Sequence, residues 1–337
     1  MINLNQTNLN ELVEKVKTGD RRSLAKAITL VESTRQDHRN LSRLILEKLK
    51  NKSKTSVKIG LTGTPGVGKS TFIETLGLNL TNSGKKVAVL AVDPSSVTTG
   101  GSILGDKTRM ELLSKKNNAF IRPSPNQGSL GGVAKRTREV ISLCEAAGYD
   151  IIIVETVGVG QSETVVAEMT DVFCLLIAPA GGDELQGVKR GIMEISDIIL
   201  INKSDGDLKL IAEQTSAQYK SALNLFRRRS YDPPNFPQVM PISSLTNLGP
   251  AKVWKAIEEL ILWRKETGYF DTRRNEQKIA SFNRELNNKF QEKTLRSKKI
   301  MSEIQLIKRQ IYQGLKTPEV AAEDLINKIL IRDLQSD

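Results

Sequence analysis

The feature that most constrains this chain is the glycine-rich segment at residues 63–71, which reads GTPGVGKST. It matches the pattern G-x-x-x-x-G-K-[ST], follows the apolar run 57–62 and precedes a helical pattern. Glycines at these positions let backbone N–H groups wrap a phosphate chain, and the amino end of the helix adds partial positive charge. The segment therefore predicts a phosphate-binding loop, in which Lys69 contacts the β and γ phosphates and the Ser70 hydroxyl binds Mg²⁺. The predicted nucleotide-binding residues here are Gly63, Thr64, Pro65, Gly66, Val67, Gly68, Lys69, Ser70 and Thr71.

Short β-branched runs alternate with longer helical patterns after this loop, which is typical of a parallel sheet covered by helices. Continuous apolar runs such as 151–154 suit strands that are buried on both faces. The predicted fold class is therefore α/β, a P-loop NTPase with a mostly parallel central sheet. Strands are predicted at 57–62, 86–92, 150–154, 172–178, 197–201 and 238–242.

The chain divides into three predicted parts. Residues 1–54 show helical spacing that predicts two or three helices, residues 55–268 form the nucleotide-binding domain, and residues 269–337 form a helical arm. An apolar stripe on this arm is expected to pack on the main domain or on a second chain. We favour a second chain, which predicts a homodimer. The stripe consists of Ile279, Phe282, Leu286, Phe290, Ile300, Ile304, Ile307 and Ile311.

A second motif, NKSD at residues 202–205, points to the base of the nucleotide. In this N-K-x-D form the Asp205 carboxylate accepts hydrogen bonds from N1–H and the 2-amino group of guanine, a donor pair that adenine lacks. The alternative is a polar helix cap with Asp205 at the N-cap. Because the motif follows a predicted strand downstream of the phosphate loop, guanine recognition by Asn202, Lys203 and Asp205 is favoured. Ser243 and Ser244 end the last predicted strand, where main-chain N–H groups are expected to contact guanine O6.

Three carboxylates are predicted on the Mg²⁺ side of the nucleotide. Glu155 and Asp93 each follow a predicted strand, and Asp106 lies in the string GGSILGD. Mg²⁺ prefers hard oxygen ligands and retained waters, so carboxylates around a triphosphate are chemically reasonable. Gly158 follows Glu155 in ETVGVGQ, and its N–H is expected to sense the γ-phosphate as a switch. The alternatives are a surface Glu that opens a turn at 155 and an ordinary Gly-Asp turn at 106.

Composition argues against several other functions. The chain has a formal charge of +12, one histidine and two cysteines. One histidine is too few for most zinc, nickel and Ser-His-Asp sites. Basic residues in the flanks alternate with acidic ones and aromatic residues are few, so no nucleic-acid partner is expected. Apolar runs are too short to span a membrane, and the first residues fit neither a signal nor a transit peptide, so a cytoplasmic location is expected.

Several strings together resemble the MeaB/ArgK family of G proteins, the methylmalonyl-CoA mutase chaperones. The resemblance covers nearly the whole chain and implies the signal-recognition-particle and nickel-chaperone class of P-loop GTPases, with a dimerising C-terminal arm. It implies a Mg²⁺-dependent GTPase that binds an adenosylcobalamin-dependent acyl-CoA mutase, gates cofactor loading and protects the mutase from inactivation. The adenosylcobalamin belongs to the mutase. The strings are GDRRSLAKAITLVES, LTGTPGVGKSTFIETL, AVDPSS, GGSILGDKTRM, ETVGVGQSE, APAGGDELQGVKRGIMEI and NKSD.

The resemblance also implies a third switch at residues 180–190. Asp183, Gln186 and Lys189 are expected to couple partner contact to hydrolysis, with Lys189 neutralising charge in the transition state. The predicted catalytic residues are then Lys69, Glu155 and Lys189.

The group that orients the attacking water has no assignment from the sequence. Gln161 lies three residues beyond Gly158 instead of directly after the turn, so slow hydrolysis without a partner is expected. An older label for the family, a lysine/arginine/ornithine transport ATPase or kinase, supplies the alternative function. The NKSD motif argues against ATP as the nucleotide that such an enzyme would hydrolyse. The absence of a Cys/His cluster argues against nickel storage.

Overall fold

A computed structural model describes residues 6–50, 55–92, 110–124, 130–156, 162–179, 190–226, 229–296 and 298–333. The strands of this part are β1 (Val57–Thr62), β2 (Val87–Val92), β3 (Ala119–Ser124), β4 (Ile151–Thr156), β5 (Val172–Ile177), β6 (Ile198–Ile201) and β7 (Gln238–Pro241). They form one sheet in the order β3-β2-β4-β1-β5-β6-β7, and every adjacent pair is parallel. The predicted α/β class with a parallel central sheet is confirmed.

Helices pack on both faces of this sheet. The following α-helices are found in the described residues. They are α1 (Gln6–Lys17), α2 (Arg21–Glu32), α3 (Gln36–Leu49), α4 (Lys69–Asn82), α5 (Glu111–Ser114), α6 (Leu130–Ala146), α7 (Ser162–Ala167), α8 (Arg190–Ile195), α9 (Lys209–Leu223), α10 (Pro250–Glu266), α11 (Tyr269–Arg296), α12 (Lys298–Tyr312) and α13 (Pro318–Asp333). The chain forms two compact units, Met1–Gln277 and Lys278–Asp337.

The order of the strands places the phosphate loop at the middle of the sheet. Strand β1 lies between β4 and β5, and the chain passes from its carboxyl end into α4. Helices α4 and α10 pack on the sheet face that buries Ile59 and Leu61. Because all the strands are parallel, the segments that follow β4, β6 and β7 open at the same edge as this loop.

Strand β3 was not predicted from the sequence. Its sequence, AFIRPS, contains a charged residue and Pro123, and neither is typical of a buried parallel strand. Proline has no N–H to donate, so it is tolerated in an edge strand. The structure places β3 at the edge of the sheet, where it pairs with β2 and Pro123 lies opposite Ala91.

The segment before β1 folds into three helices, α1 to α3, which agrees with the predicted two or three. Helix α2 begins after Asp20, whose carboxylate accepts a hydrogen bond from Ser23 N at 2.8 Å. Its apolar side chains, including Leu24 and Ile28, are buried in the same core as those of α6. These helices therefore belong to the first unit, and the domain bounds at 54 and 268 stay predictions.

A buried ionic network joins α10 to the sheet edge opposite the phosphate loop. Arg264 is 1% exposed, and its Nη2 lies 2.7 Å from a carboxylate oxygen of both Asp197 and Asp232. Its Nη1 donates to the Asp171 carbonyl oxygen at 2.6 Å. Burial opposes ionisation of Asp197, but Arg264, followed by Arg229, holds the pKa of that carboxyl below its ordinary value. Asp171 and Asp197 directly precede β5 and β6, so the network anchors α10 at their amino ends.

The second unit contains the end of α11 together with α12 and α13. Ile307 and Ala321 are buried, and Lys316 donates a hydrogen bond to the Asp324 carboxylate. Four apolar side chains of α11 in this unit are 42% to 63% exposed: Ile279, Phe282, Leu286 and Phe290. In the described part of the chain, no helix is both long enough and apolar enough to cross a membrane.

Candidate nucleotide-binding site

The phosphate loop bends through three glycines with positive φ. These angles are 154° at Gly63, 82° at Gly66 and 93° at Gly68. A Cβ atom on Gly63 would lie 2.2 Å from the Leu176 carbonyl oxygen, and one on Gly68 would lie 2.5 Å from Asn202 Nδ2. At these two positions glycine is required both by the backbone conformation and by the close approach of neighbouring groups.

Lys69 is held across the loop that precedes it. It is the first residue of α4 and its side chain is 7% exposed. Its Nζ donates to the carbonyl oxygens of Gly63 at 2.8 Å and Thr64 at 3.1 Å. The ammonium group therefore lies over the loop whose N–H groups are predicted to wrap the phosphates. Ser70 comes next and is half-buried, and Thr71 is exposed.

Asn202 connects the phosphate loop to the segment that follows β7. Its Nδ2 donates to the Val67 carbonyl oxygen at 2.8 Å, and its Oδ1 accepts from Ser244 N at 3.0 Å and from Ser244 Oγ at 2.8 Å. Asn202 and the Val67 side chain are each 2% exposed, whereas Pro65 on the same loop is exposed. A single buried amide thus ties the ends of β1, β6 and β7 together.

Asp205 stands at the N-cap position of the short 3₁₀ helix Gly206–Leu208, but its side chain makes no capping hydrogen bond there. It is half-buried. Lys203 is exposed and has a φ of 57°, which turns the chain between Asn202 and Asp205. The capping alternative therefore has no hydrogen bond to support it, and the carboxylate stays at the edge of the sheet where the phosphate loop opens.

The two serines after β7 lie where the sequence placed them, but their N–H groups have other acceptors. Ser243 N donates to the Leu248 carbonyl oxygen at 2.8 Å, and Ser244 N donates to Asn202 Oδ1 at 3.0 Å. This corrects the expectation that these N–H groups contact guanine O6. The next amide is that of Leu245, whose side chain is 81% exposed and whose N–H has no acceptor within the described ranges.

Glu155 lies near the carboxyl end of β4, in register with Leu61 of β1 and Ala91 of β2. Its side chain is 5% exposed, which does not fit a surface turn. The adjacent Thr156 hydroxyl donates to Thr62 Oγ1 at 2.7 Å at the end of β1. Hard oxygen donors are thus found beside the phosphate loop, and a carboxylate together with the Ser70 hydroxyl is a donor set that suits Mg²⁺.

Other predicted residues lie outside the described residues. These are Asp93, Asp106, Gly158, Asp183, Gln186 and Lys189. Conversely, no motif indicated Thr75, which donates to the Ser244 carbonyl, or Leu245, which follows Ser244. Thr75 lies in the string LTGTPGVGKSTFIETL but outside the phosphate loop, and Leu245 lies in none of the quoted strings, so no signal in the sequence links the two residues.

The sequence also matches a known protein family. The family model described as methylmalonyl Co-A mutase-associated GTPase MeaB matches residues 24–299. The chain belongs to the MeaB family. Its phosphate loop, the NKSD motif and the sheet that joins them all lie within the matched range.

Individual relatives extend the similarity to most of this MeaB-family chain. It is 53% identical over 249 residues to a "Putative GTPase" of Caulobacter vibrioides, covering 74% of this chain and 76% of the relative. It is 47% identical to the "Methylmalonic aciduria type A homolog, mitochondrial" of Mus musculus, covering 91% and 76% respectively. A solved structure described as "LAO/AO transport system kinase" matches with a TM-score of 0.78 and 34% identity, covering 97% of this chain and 99% of that one.

Proposed function

We propose that this MeaB-family protein binds GTP with Mg²⁺ and hydrolyses it to GDP and phosphate. The observation that carries the proposal is the set of Asn202 hydrogen bonds, which joins the phosphate loop to the NKSD motif in one buried unit. Asp205 then accepts hydrogen bonds from guanine N1–H and the 2-amino group, and Leu245 N–H donates to O6. Adenine lacks that donor pair and carries an amino group in place of O6, so it is rejected.

The phosphate side of the site supplies charge stabilisation. Lys69 and the N–H groups of residues 63–71, except Pro65, which has none, hold the β and γ phosphates, and the amino end of α4 adds partial positive charge. Ser70 and Glu155, with Asp93 and Asp106, would hold Mg²⁺, which when bound neutralises charge that develops on the phosphate oxygens.

The partner side of the proposal concerns the switches. Gly158 senses the γ-phosphate, and Asp183 and Gln186 couple contact with a partner to hydrolysis. Lys189 then neutralises transition-state charge, as an arginine finger does. Hydrolysis by the protein alone is accordingly slow, and the partner accelerates it.

We infer that the partner is an adenosylcobalamin-dependent acyl-CoA mutase, with methylmalonyl-CoA mutase the first candidate. The description of the family model supports this inference. The protein would gate cofactor loading and protect the mutase, and the cobalamin would belong to the mutase. The exposed apolar side chains on α11 support a homodimer in which a second copy covers them. The similarity to the transport-system kinase structure supports the alternative, a nucleotide-driven step of amino-acid transport.

The base specificity is tested by measuring the affinities of GDP, ADP and XDP for the wild type and for Asp205→Asn. Xanthine has a carbonyl where guanine has its 2-amino group, so an asparagine amide favours xanthine. We expect roughly 100-fold weaker GDP binding and stronger XDP binding. Asp207→Asn, which removes the same charge from an exposed residue nearby, is the matched control and should change neither affinity. Equal affinities of the wild type for GDP and ADP would exclude GTP as the preferred substrate.

The partner is tested by measuring GTP hydrolysis and cobalamin occupancy with a purified adenosylcobalamin-dependent mutase. We expect stimulation with GTP but not with ATP. Lys189→Ala should lose the stimulated rate while keeping the basal rate, and an equal loss with and without mutase would contradict the third-switch role. If the mutase neither binds the protein nor stimulates its GTP hydrolysis, the result would favour the transport alternative.

A further inference from the structure

The Thr75 hydroxyl connects the helix after the phosphate loop to the loop after β7. Thr75 lies on α4, and its Oγ1 is 2.9 Å from the Thr71 carbonyl oxygen and 2.9 Å from the Ser244 carbonyl oxygen. The first contact is local to the helix, whereas the second joins residues 169 positions apart. A threonine has one hydroxyl proton, which these two acceptors share.

The Ser244 carbonyl belongs to the same peptide group as the Leu245 N–H. A trans peptide is planar, and its C=O and N–H point in opposite directions. A donor that fixes the carbonyl therefore also fixes the direction of the N–H. From this geometry we propose that Thr75 is a positioning residue for base specificity, because it orients the Leu245 N–H toward O6 of a 6-oxopurine nucleotide. The inference rests on the proposed function and adds a determinant outside both nucleotide motifs.

Further hydrogen bonds connect the loop after β7 to the rest of the site. Hydrogen bonds connect Val67 to Asn202, Asn202 to Ser244, and Ser244 to Thr75 on α4. The phosphate loop and the loop after β7 are therefore joined by one set of hydrogen bonds. One turn further along α4, Asn79 Nδ2 donates to Asn247 Oδ1 at 2.9 Å.

The same loop is closed internally as well. Ser243 and Leu248 exchange two backbone hydrogen bonds, at 2.8 and 3.0 Å. The loop therefore keeps its own shape, and the contacts from α4 decide how the Ser244–Leu245 peptide is presented to the base.

The test uses the full chain with Thr75→Val, which removes the hydroxyl, and Thr75→Ser, which keeps it. Thr29→Val is a matched control, because Thr29 Oγ1 also donates to the carbonyl four residues earlier at 2.9 Å, on α2. Equilibrium binding is measured for GDP, IDP, ADP and pyrophosphate. IDP keeps O6 but lacks the 2-amino group, ADP lacks O6, and pyrophosphate occupies only the phosphate side.

For Thr75→Val we expect GDP and IDP to bind roughly 3- to 10-fold more weakly, the change that corresponds to one neutral hydrogen bond. ADP and pyrophosphate should bind as they do to the wild type, and Thr75→Ser and Thr29→Val should keep the wild-type preference for GDP over ADP. The ratio of the GDP affinity to the IDP affinity, which Asp205 controls, should be the same in Thr75→Val as in the wild type.

Three results would overturn the role of Thr75. They are an unchanged preference for GDP over ADP in Thr75→Val, an equal loss of pyrophosphate binding, and an equal loss in Thr75→Ser. If the wild type itself shows no preference for GDP over ADP, the proposed function fails instead, so the two failures are distinguishable.

Discussion

Replacing Arg264 by methionine tests the buried ionic network at the amino ends of β5 and β6. The side chain is 1% exposed and contacts two carboxylates and a carbonyl oxygen, while Asp197 and Asp232 are 0% and 7% exposed. Methionine keeps an unbranched chain but removes one arginine from two buried carboxylates, and Arg229 stays in contact with both. Breaking a buried ion pair by removing one partner costs about 3–5 kcal/mol. We therefore expect a free energy of unfolding lower by about 4 kcal/mol at pH 8.

The loss should depend on pH. In the wild type the folded-state pKa of Asp197 lies below its ordinary value, so its ionised form adds stability above an unfolded pKa of about 4. Without Arg264 the effect of burial dominates and this pKa rises. The folded variant then binds a proton that the unfolded chain releases, so its stability falls as pH rises. The difference between wild type and variant should accordingly be smaller at pH 5 than at pH 8.

Urea unfolding followed by circular dichroism at both pH values measures this difference. Arg35→Met is the control, because Arg35 also pairs with an aspartate but both side chains are exposed, and it should barely move the transition. GDP affinity of folded Arg264→Met should equal that of the wild type, since the network lies at the edge opposite the phosphate loop. A loss below about 1 kcal/mol, or one that is constant with pH, would refute the reasoning.

Two further changes concern the phosphate loop and the helix that follows it. Gly68→Ala should abolish GDP binding in a calorimetric titration, because a Cβ would lie 2.5 Å from Asn202 Nδ2 at a φ of 93°, and retained affinity would contradict this. Glu74 Oε1 accepts hydrogen bonds from Leu112 N at 2.7 Å and Leu113 N at 3.3 Å. Glu74→Ala should therefore speed amide hydrogen exchange at both residues, whereas unchanged exchange would show that these bonds do not hold α5.

The motifs were predictable from the sequence because each is a local pattern with a local cause. Glycines at 63, 66 and 68 are needed for positive φ, and the strand before them and the helix after them are recognisable within a short window. The strands β1, β2 and β4 to β7 were predicted for a similar reason, since each is a run of apolar residues. Strand β3 was missed because its position at the edge of the sheet tolerates a composition that a central strand does not.

The connections within the site came from the tertiary structure. The sequence places Asn202 and Ser244 after two different strands, but it does not show that the Asn202 amide bridges Val67 and Ser244. Nor does it show that the N–H groups of Ser243 and Ser244 have protein acceptors and that, among the residues the structure describes, the amide of Leu245 has none.

Sequence alone thus determined that the chain carries the GTPGVGKST and NKSD motifs and a parallel α/β sheet. Each of these depends on residues that are close together along the chain. Only the tertiary structure decided that the Leu245 amide has no acceptor among the described residues and that Thr75 contacts its peptide. A hydrogen bond between residues 169 positions apart depends on the order of the strands and the packing of α4, and no local pattern records either.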